Sequence, residues 1–557
     1  MCGIQILVQA LDSVDETPAV SKTWDGLTQA NSRRGPDYHG ETTAMLSKVQ
    51  VRLGAHVLHL RGPSTQSQPL ISSNGDIFCW NGEVFSGLDI GSQNDGTILM
   101  NKIQQMKLLD PEYFVLKTMQ LVEGPYAFVY LDKEQEKLWF SRDFLGRRSL
   151  LIKHLDTQTM LLSSVANNDD GGWEELPAQK VFCLDLLRCN MPFASSMVSH
   201  QWIYKNEGST VALDTFQPTI PFAQVIVDHQ SQTSMDPELP LENGFPEIPE
   251  SWKPYVDGLQ NVLSQSIRQR VESIPVQDNP SFPRVGILFS GGVDCITIAA
   301  LLTQMLPHAE PIELFNVSFE NPRQTKTHGS ASKYNVPDRL TGIQGWKELC
   351  RIDPQRQWRF VQVDVPYIQV LEHKSHIRQL LVPSDTVMDM SIGMAIWFAA
   401  RGIGNLVSDN GETTPYTGLA RVLLLGMGAD EQLGGYSRHR SAWDRGGTDA
   451  LAQEIRMDVQ RIATRNLGRD DRIVSDTSKE ARYPFLAATV VDYLSTVPVN
   501  RKMDMRLPRG IGEKLLLRML ARRLGLTQAS VLAKRAIQFG ARTAKMESSN
   551  TKGQDSL

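Results

Sequence analysis

The stretch Val285-Gly286-Ile287-Leu288-Phe289-Ser290-Gly291-Gly292-Val293-Asp294-Cys295 decides how the second half of this chain folds. Val285 to Phe289 has the apolar composition of a strand buried on both faces, as in a parallel sheet. The two glycines let the backbone turn sharply and approach a ligand closely. Ile296 to Leu306 then reads as a helix. In this order the loop N–H groups and the positive end of the helix favour an anion. The competing reading is an ordinary glycine turn. The loop lacks the Gly-Lys-Ser/Thr of Walker A, so it is not that phosphate loop. Asp294 would orient the loop or hold a hydrated Mg2+.

Leu314–Phe319 and Val422–Leu425 share the composition of the first strand. Strands alternating with helices predict a doubly wound α/β domain over 252–540. Upstream, 186–251 reads as a variable region and linker, broken by Pro237, Pro240, Pro246 and Pro249. Residues 541–557 form a polar tail. Residues 2–185 are dense in short β-like runs, such as Gly54–Leu60, Ile77–Trp80 and Tyr126–Tyr130. Asn74-Gly75, Asn81-Gly82 and Asp95-Gly96 read as turns between them. Helical periodicity at 97–107 and 111–122 completes an α+β domain with antiparallel sheet.

The chain opens Met1-Cys2-Gly3-Ile4. Removal of Met1 would leave Cys2 with a thiol and a free α-amine, a compact nucleophile and base. The bland alternative is that a small residue at position two merely permits Met removal.

Composition excludes several classes. The chain has 557 residues, 41% hydrophobic, with a net charge of −5. That length suits about three domains. Mixed charge without a basic excess argues against nucleic acid. No apolar run reaches the roughly 18 residues that would span a bilayer, and no secretory signal is visible. Cys2, Cys79, Cys183, Cys189, Cys295 and Cys350 form no CxxC pair, which argues against structural zinc. Scattered cysteines in a long chain fit a reducing, cytoplasmic location.

Taken together, these segments resemble a known family. Cys2, Arg34-Gly35-Pro36-Asp37, Asn81-Gly82-Glu83-Val84-Phe85 and Arg142-Asp143-Phe144-Leu145-Gly146-Arg147-Arg148 resemble class II glutamine amidotransferases, with Arg148 or Ser149 at a usual proline. The Ser290–Cys295 loop resembles the pyrophosphate loop of enzymes that split ATP into AMP and pyrophosphate, with Cys295 at its last serine. That loop, Gly426-Met427-Gly428-Ala429-Asp430-Glu431-Gln432-Leu433-Gly434-Gly435-Tyr436 and Glu480-Ala481-Arg482-Tyr483-Pro484-Phe485-Leu486 follow the order of glutamine-hydrolysing asparagine synthetases. The resemblance implies an N-terminal αββα Ntn-type glutaminase sandwich and an α/β doubly wound ATP-pyrophosphatase domain.

It also implies roles. Cys2 would attack the glutamine side-chain carbonyl, with Asn81 and the Gly82 N–H receiving the oxyanion. Arg34, Leu60, Glu83 and Asp95 would form the glutamine site, Asp95 gripping the α-ammonium. ATP would lie against Phe289, Ser290, Gly291, Gly292, Asp294, Cys295, Val317, Leu425 and Gly426. Asp294 and Asp430 would hold Mg2+. Ammonia would pass by a shielded path to an ATP-activated carboxylate, with aspartate the default acceptor and asparagine the product. A homodimer is among the expected assemblies.

The chain also departs from the family's pattern. Met427 stands at a family Glu, Ala536 at a pyrophosphate-binding Lys beside Lys534 and Arg535, and Asp389 at an Arg. Val57 stands at the Arg that clamps the glutamine α-carboxylate, leaving Arg61, Arg33 or Arg52 to compensate. These departures keep two alternatives open: another carboxylate acceptor, or a catalytically impaired protein with a binding or regulatory role.

Overall fold

A computed structural model describes residues 2–11, 18–167, 171–188, 192–204, 219–220, 241–242, 245–276, 279, 281–320, 333–546 and 554–555. The chain divides into two compact units.

Unit 1 comprises 1–221, 375–385 and 463–480. Its strands are β1 (Gly3–Ala10), β2 (Tyr38–Met45), β3 (Val49–Val57), β4 (Leu70–Ile71), β5 (Ile77–Gly82), β6 (Tyr126–Asp132), β7 (Lys137–Arg142), β8 (Leu151–His154), β9 (Thr159–Ser163), β10 (Glu174–Glu175), β11 (Lys180–Asp185) and β12 (Met197–Gln201). They form two six-stranded sheets, β10-β8-β9-β1-β3-β2 and β12-β11-β7-β6-β5-β4. All the strand pairs between them are antiparallel.

The period-two pattern of the strands explains the layering. Ile4, Ile6 and Val8 of β1 point into one core with Ile77 and Cys79 of β5 and Val129 of β6. On the opposite face of β1, Leu7 packs with Trp24 and Leu27 of the helix Pro18–Arg34. On the outer face of the other sheet, Phe114 of the helix Phe114–Met119 meets Tyr130 edge-on at 5.8 Å. The result is the expected αββα sandwich.

Three local expectations change. Asn81-Gly82 lies inside β5, paired with Ala127 and Tyr126, and is no hairpin turn. Asp95-Gly96 opens the helix Asp95–Leu109 behind the N-cap Asn94. Asn74-Gly75 does turn, with Gly75 donating to the Ser72 carbonyl.

The domain limits move too. β12 carries the second sheet past residue 185. Residues 375–385 and 463–480, expected in the 252–540 domain, belong to unit 1. Buried charge explains this: Arg472 reaches Glu175 at 2.7 Å and the Leu380 carbonyl at 2.9 Å. Most of 205–250, with Pro237 and Pro240, lies outside the described residues, as do Met1 and Cys189.

Between β12 and the next large sheet are two small pairs, β13 (Ile203–Tyr204) with β14 (Thr219–Ile220), and β15 (Leu241–Glu242) with β16 (Phe245–Pro246). Unit 2 comprises 222–374, 386–462 and 481–557. Its sheet contains β17 (Val285–Leu288), β18 (Ile312–Phe319), β19 (Trp358–Val365), β20 (Ile403–Val407), β21 (Thr413–Thr417), β22 (Val422–Leu424) and β23 (Glu480–Arg482). The order is β21-β20-β19-β18-β17-β22-β23. β19, β18, β17 and β22 run parallel, while β20 and β21 form an antiparallel edge.

From β17 the chain moves first to β18 on one side and returns later as β22 on the other. That reversal makes the carboxyl ends of β17 and β22 a topological switch point, where open α/β sheets bind ligands. Among the described residues, no helix is long and apolar enough to cross a membrane.

Candidate active sites

Cys2 stands at the amino end of β1 and is 7% exposed. Its backbone N–H donates to Asn81 Oδ1 at 2.9 Å, which joins the ends of the two sheets of unit 1. Asn81 is fully buried, and its Nδ2 has no hydrogen-bond partner among the described residues. A buried amide donor left open in this way is costly unless something arrives to accept from it. Gly82 permits tight closure, because a Cβ there would lie 2.7 Å from the Pro125 carbonyl.

Arg34 closes the other side. Its Nε donates to the Cys2 carbonyl at 3.4 Å and its Nη2 to Asp471 Oδ2 at 2.9 Å. Asp471 also accepts the Ser149 N–H at 3.0 Å. Arg148 is buried and lies 3.0 Å from Glu480 and 3.6 Å from Asp471. Burial pushes the Cys2 thiol up from its ordinary value. The N-terminal ammonium and the Leu58 N–H oppose that, while Asp95 and Glu480 add to it. The backbone donor acting on Cys2 is thus Leu58; Leu60, two residues on, is buried.

Glu83 and Val84 follow Gly82 directly. Asp95 accepts the Val84 N–H at 3.1 Å and its neighbour Gly96 N–H at 2.9 Å. Burial raises its carboxyl, with Arg61 opposing. Arg61 lies 3.7 Å from Glu83 and donates to the Val84 carbonyl at 2.6 Å. Of the three arginines left to replace the one missing at Val57, only Arg61 borders these residues. Arg33 is held by Asp476 at 2.7 Å, and Arg52 pairs with Glu41 over the Trp24 ring.

In unit 2, the Phe289 N–H extends the ladder to the Phe315 carbonyl at 2.9 Å. Phe289, Val317 and Leu425 are buried at the carboxyl ends of β17, β18 and β22. Gly291 has φ +77°, and a Cβ there would lie 2.2 Å from the Thr341 carbonyl. Gly292 has φ −68° and meets only Ser290 Oγ at 3.3 Å. The conformational need for glycine therefore sits at Gly291, while Gly292 is the open position.

The helix Val293–Leu302 starts at Gly292 without a side-chain cap. Cys295 Sγ donates to the Gly292 carbonyl at 3.2 Å, so the thiol that replaces the family's serine braces the loop. Burial pushes it up to about 11.

A charge cluster faces this loop. Lys514 Nζ contacts Asp294 Oδ1 and Oδ2 at 2.7 and 2.6 Å and Asp430 Oδ1 at 2.7 Å. Lys534 Nζ meets Asp430 Oδ2 at 2.8 Å. Gly435 makes room, since a Cβ there would lie 1.9 Å from Asp430 Oδ1. Burial pushes Asp294 up against the pull of Lys514. Against the same cost of burial, Lys514 and Lys534 hold Asp430 well below the usual carboxylate range.

Asp294 and Asp430 thus share an ammonium where the sequence suggested a shared Mg2+. They do not form an open ligand pair, and among the described residues no group of three His, Cys, Asp or Glu could hold a metal. Two lysines beside a glycine loop at the start of the helix Val293–Leu302 do fit a polyphosphate such as that of ATP.

Ala536 precedes the short helix Ile537–Gly540, and Lys534 reaches the cluster in its stead. Asp389 lies in the first turn of the helix Val387–Arg401, whose N-cap is Thr386: its N–H donates to Thr386 Oγ1 at 3.1 Å and its carboxylate accepts from the same hydroxyl at 2.5 Å. Met427 is half-buried in the turn after Gly426. Sequence reading missed Gln68, Asp471 and Lys514.

Comparison with known proteins finds two families along the chain. The glutamine amidotransferase domain family matches residues 1–168, and the asparagine synthase family matches 443–552. Asparagine synthetase domain-containing protein 1 of Gallus gallus is 37% identical, covering 93% of this chain and 94% of the relative. Its Homo sapiens counterpart is 36% identical, covering 94% and 92%. A putative glutamine-hydrolyzing asparagine synthetase 1 of Methanocaldococcus jannaschii is 23% identical, covering 77% and 67%. The chain belongs to the asparagine synthetase domain-containing protein 1 family, with a class II glutamine amidotransferase domain followed by an asparagine synthase domain.

Proposed function

We propose that this chain takes nitrogen from glutamine and uses ATP to amidate a carboxylate. Cys2 Sγ attacks the glutamine side-chain carbonyl and its proton passes to the α-amine. The amide nitrogen leaves as ammonia, and water releases glutamate from the thioester. In the second unit a carboxylate oxygen attacks the ATP α-phosphate, pyrophosphate departs, and ammonia displaces AMP from the acyl-adenylate. Aspartate is the acceptor that family membership suggests, giving asparagine.

The observation that carries the reading is the divided use of Asn81. Its oxygen fixes Cys2, and its buried Nδ2 is left for an oxyanion, the element expected to contribute most to acyl transfer. Arg61 is the candidate clamp for the glutamine α-carboxylate. Lys514, Lys534 and the loop N–H groups would hold the phosphates.

One observation favours a changed acceptor. Met427 follows Gly426, which packs against Asp294, and a thioether takes no proton at neutral pH. An ATP–pyrophosphate exchange assay over a panel of carboxylates, aspartate included, separates the acceptors. Cys2→Ala should abolish amidation from glutamine and spare amidation from added ammonia. Neither exchange nor glutamine hydrolysis under any condition would refute the enzyme reading and leave a binding role.

A further inference from the structure

Gln68 lies between β3 and β4 and is 4% exposed. Its carboxamide oxygen accepts the Trp80 backbone N–H at 2.8 Å. A backbone N–H can only donate, so this contact fixes which end of the amide is oxygen. The Nε2 end then faces Cys2 Sγ at 3.7 Å. Trp80 immediately precedes Asn81 in β5, so one strand holds both amides that converge on Cys2.

We propose that Gln68 is a catalytic residue of the glutamine-hydrolysing site, its side-chain N–H held against the attacking sulfur by Trp80. The proposal rests on the reading of Cys2 as nucleophile.

The sulfur needs such help. Arg34 faces the Cys2 carbonyl, Asp95 and Glu480 oppose a negative sulfur, and the buried Cys79 lies within electrostatic reach. The Leu58 N–H favours the thiolate, but burial outweighs it. An N–H donor binds a thiolate more strongly than a thiol, so Gln68 favours the reactive form as the proton departs.

The test uses the full chain beginning at Cys2. Carbamidomethylation of Cys2 by iodoacetamide is followed against pH by peptide mass, beside glutamine hydrolysis. Gln68→Glu keeps the shape and the acceptor for Trp80 but turns the donor into a carboxylate. Its alkylation should need a higher pH, with the rate at pH 7 down about tenfold or more. Gln68→Leu should fall less, because it adds no charge. A Gln68→Glu protein that alkylates like the parent overturns the proposal, as does a parent Cys2 inert at every pH. A parent that alkylates with the expected dependence on Gln68 yet hydrolyses no glutamine refutes the glutaminase reading instead.

Discussion

Arg34 Nη2 meets Asp471 Oδ2 at 2.9 Å with both side chains buried, although 437 residues separate them. The same arginine touches the Cys2 carbonyl. A residue from the chain's second half is thereby part of the wall behind the N-terminal thiol. Residues 463–480 are structural members of the glutaminase unit.

Asp471→Ala should therefore damage the first unit. Removing one member of the buried Arg34–Asp471 pair should cost about 3–5 kcal/mol, while Arg148 keeps Glu480 at 3.0 Å. Denaturant unfolding should show that loss, and glutamine hydrolysis should fall with it. Unchanged stability and hydrolysis would mean that the pair is incidental.

Lys514→Met should act on the second unit. Asp294 and Asp430 would then face one another without the shared ammonium. Like charges at such range repel, so one carboxylate should take up a proton. ATP should bind more weakly, because a phosphate-facing cation is gone. Calorimetric titration of ATP, with and without Mg2+, checks this. Equal affinity in parent and variant would remove Lys514 from the nucleotide site.

The two loop glycines should separate fold from ligand. Gly291→Ala forces a side chain into a left-handed conformation, at about 1–3 kcal/mol, and against the Thr341 carbonyl. It should lower the melting temperature and ATP affinity together. Gly292→Ala has room and should cost about 1 kcal/mol or less as an altered helix cap. Its effect should appear in ATP affinity if the backbone there approaches phosphate. The reverse order of melting temperatures would contradict the geometry.

What the sequence revealed depended on distance along the chain. Cys2 and the Ser290–Cys295 loop are read from short windows, because neighbouring residues set a strand end or a glycine loop. β17, β18 and β22 are equally local, since burial on both faces shows in composition. Lys514 gave no sign, because its partner Asp294, in the glycine loop, is 220 residues away. Gln68 is a polar residue among polar residues, and only the Trp80 N–H gives it direction. Asn81-Gly82 misled as a turn because the dipeptide's preference for hairpins yields to pairing with β6.

Asp338 provides a prediction with a pH sign. It lies in the first turn of the helix Pro337–Ile352, buried, with its carboxylate against the Gly540 backbone. Burial pushes it up to about 7, with Arg535 and Lys534 opposing. The folded state therefore holds the proton more tightly than the unfolded state, where an aspartate titrates near about 3.9. The stability this confers is complete below the unfolded value and is lost as pH rises through about 7. Asp338→Asn keeps the shape and removes the titration. The difference in unfolding free energy between variant and parent should grow in the variant's favour from pH 5 to pH 8, by on the order of 3 kcal/mol. Taking the difference cancels the other titrating groups, provided they do not couple to this site. Paired denaturant curves at several pH values measure it. A difference that stays flat across that window would show that Asp338 is already ionised in the folded protein, with Arg535 and Lys534 outweighing its burial.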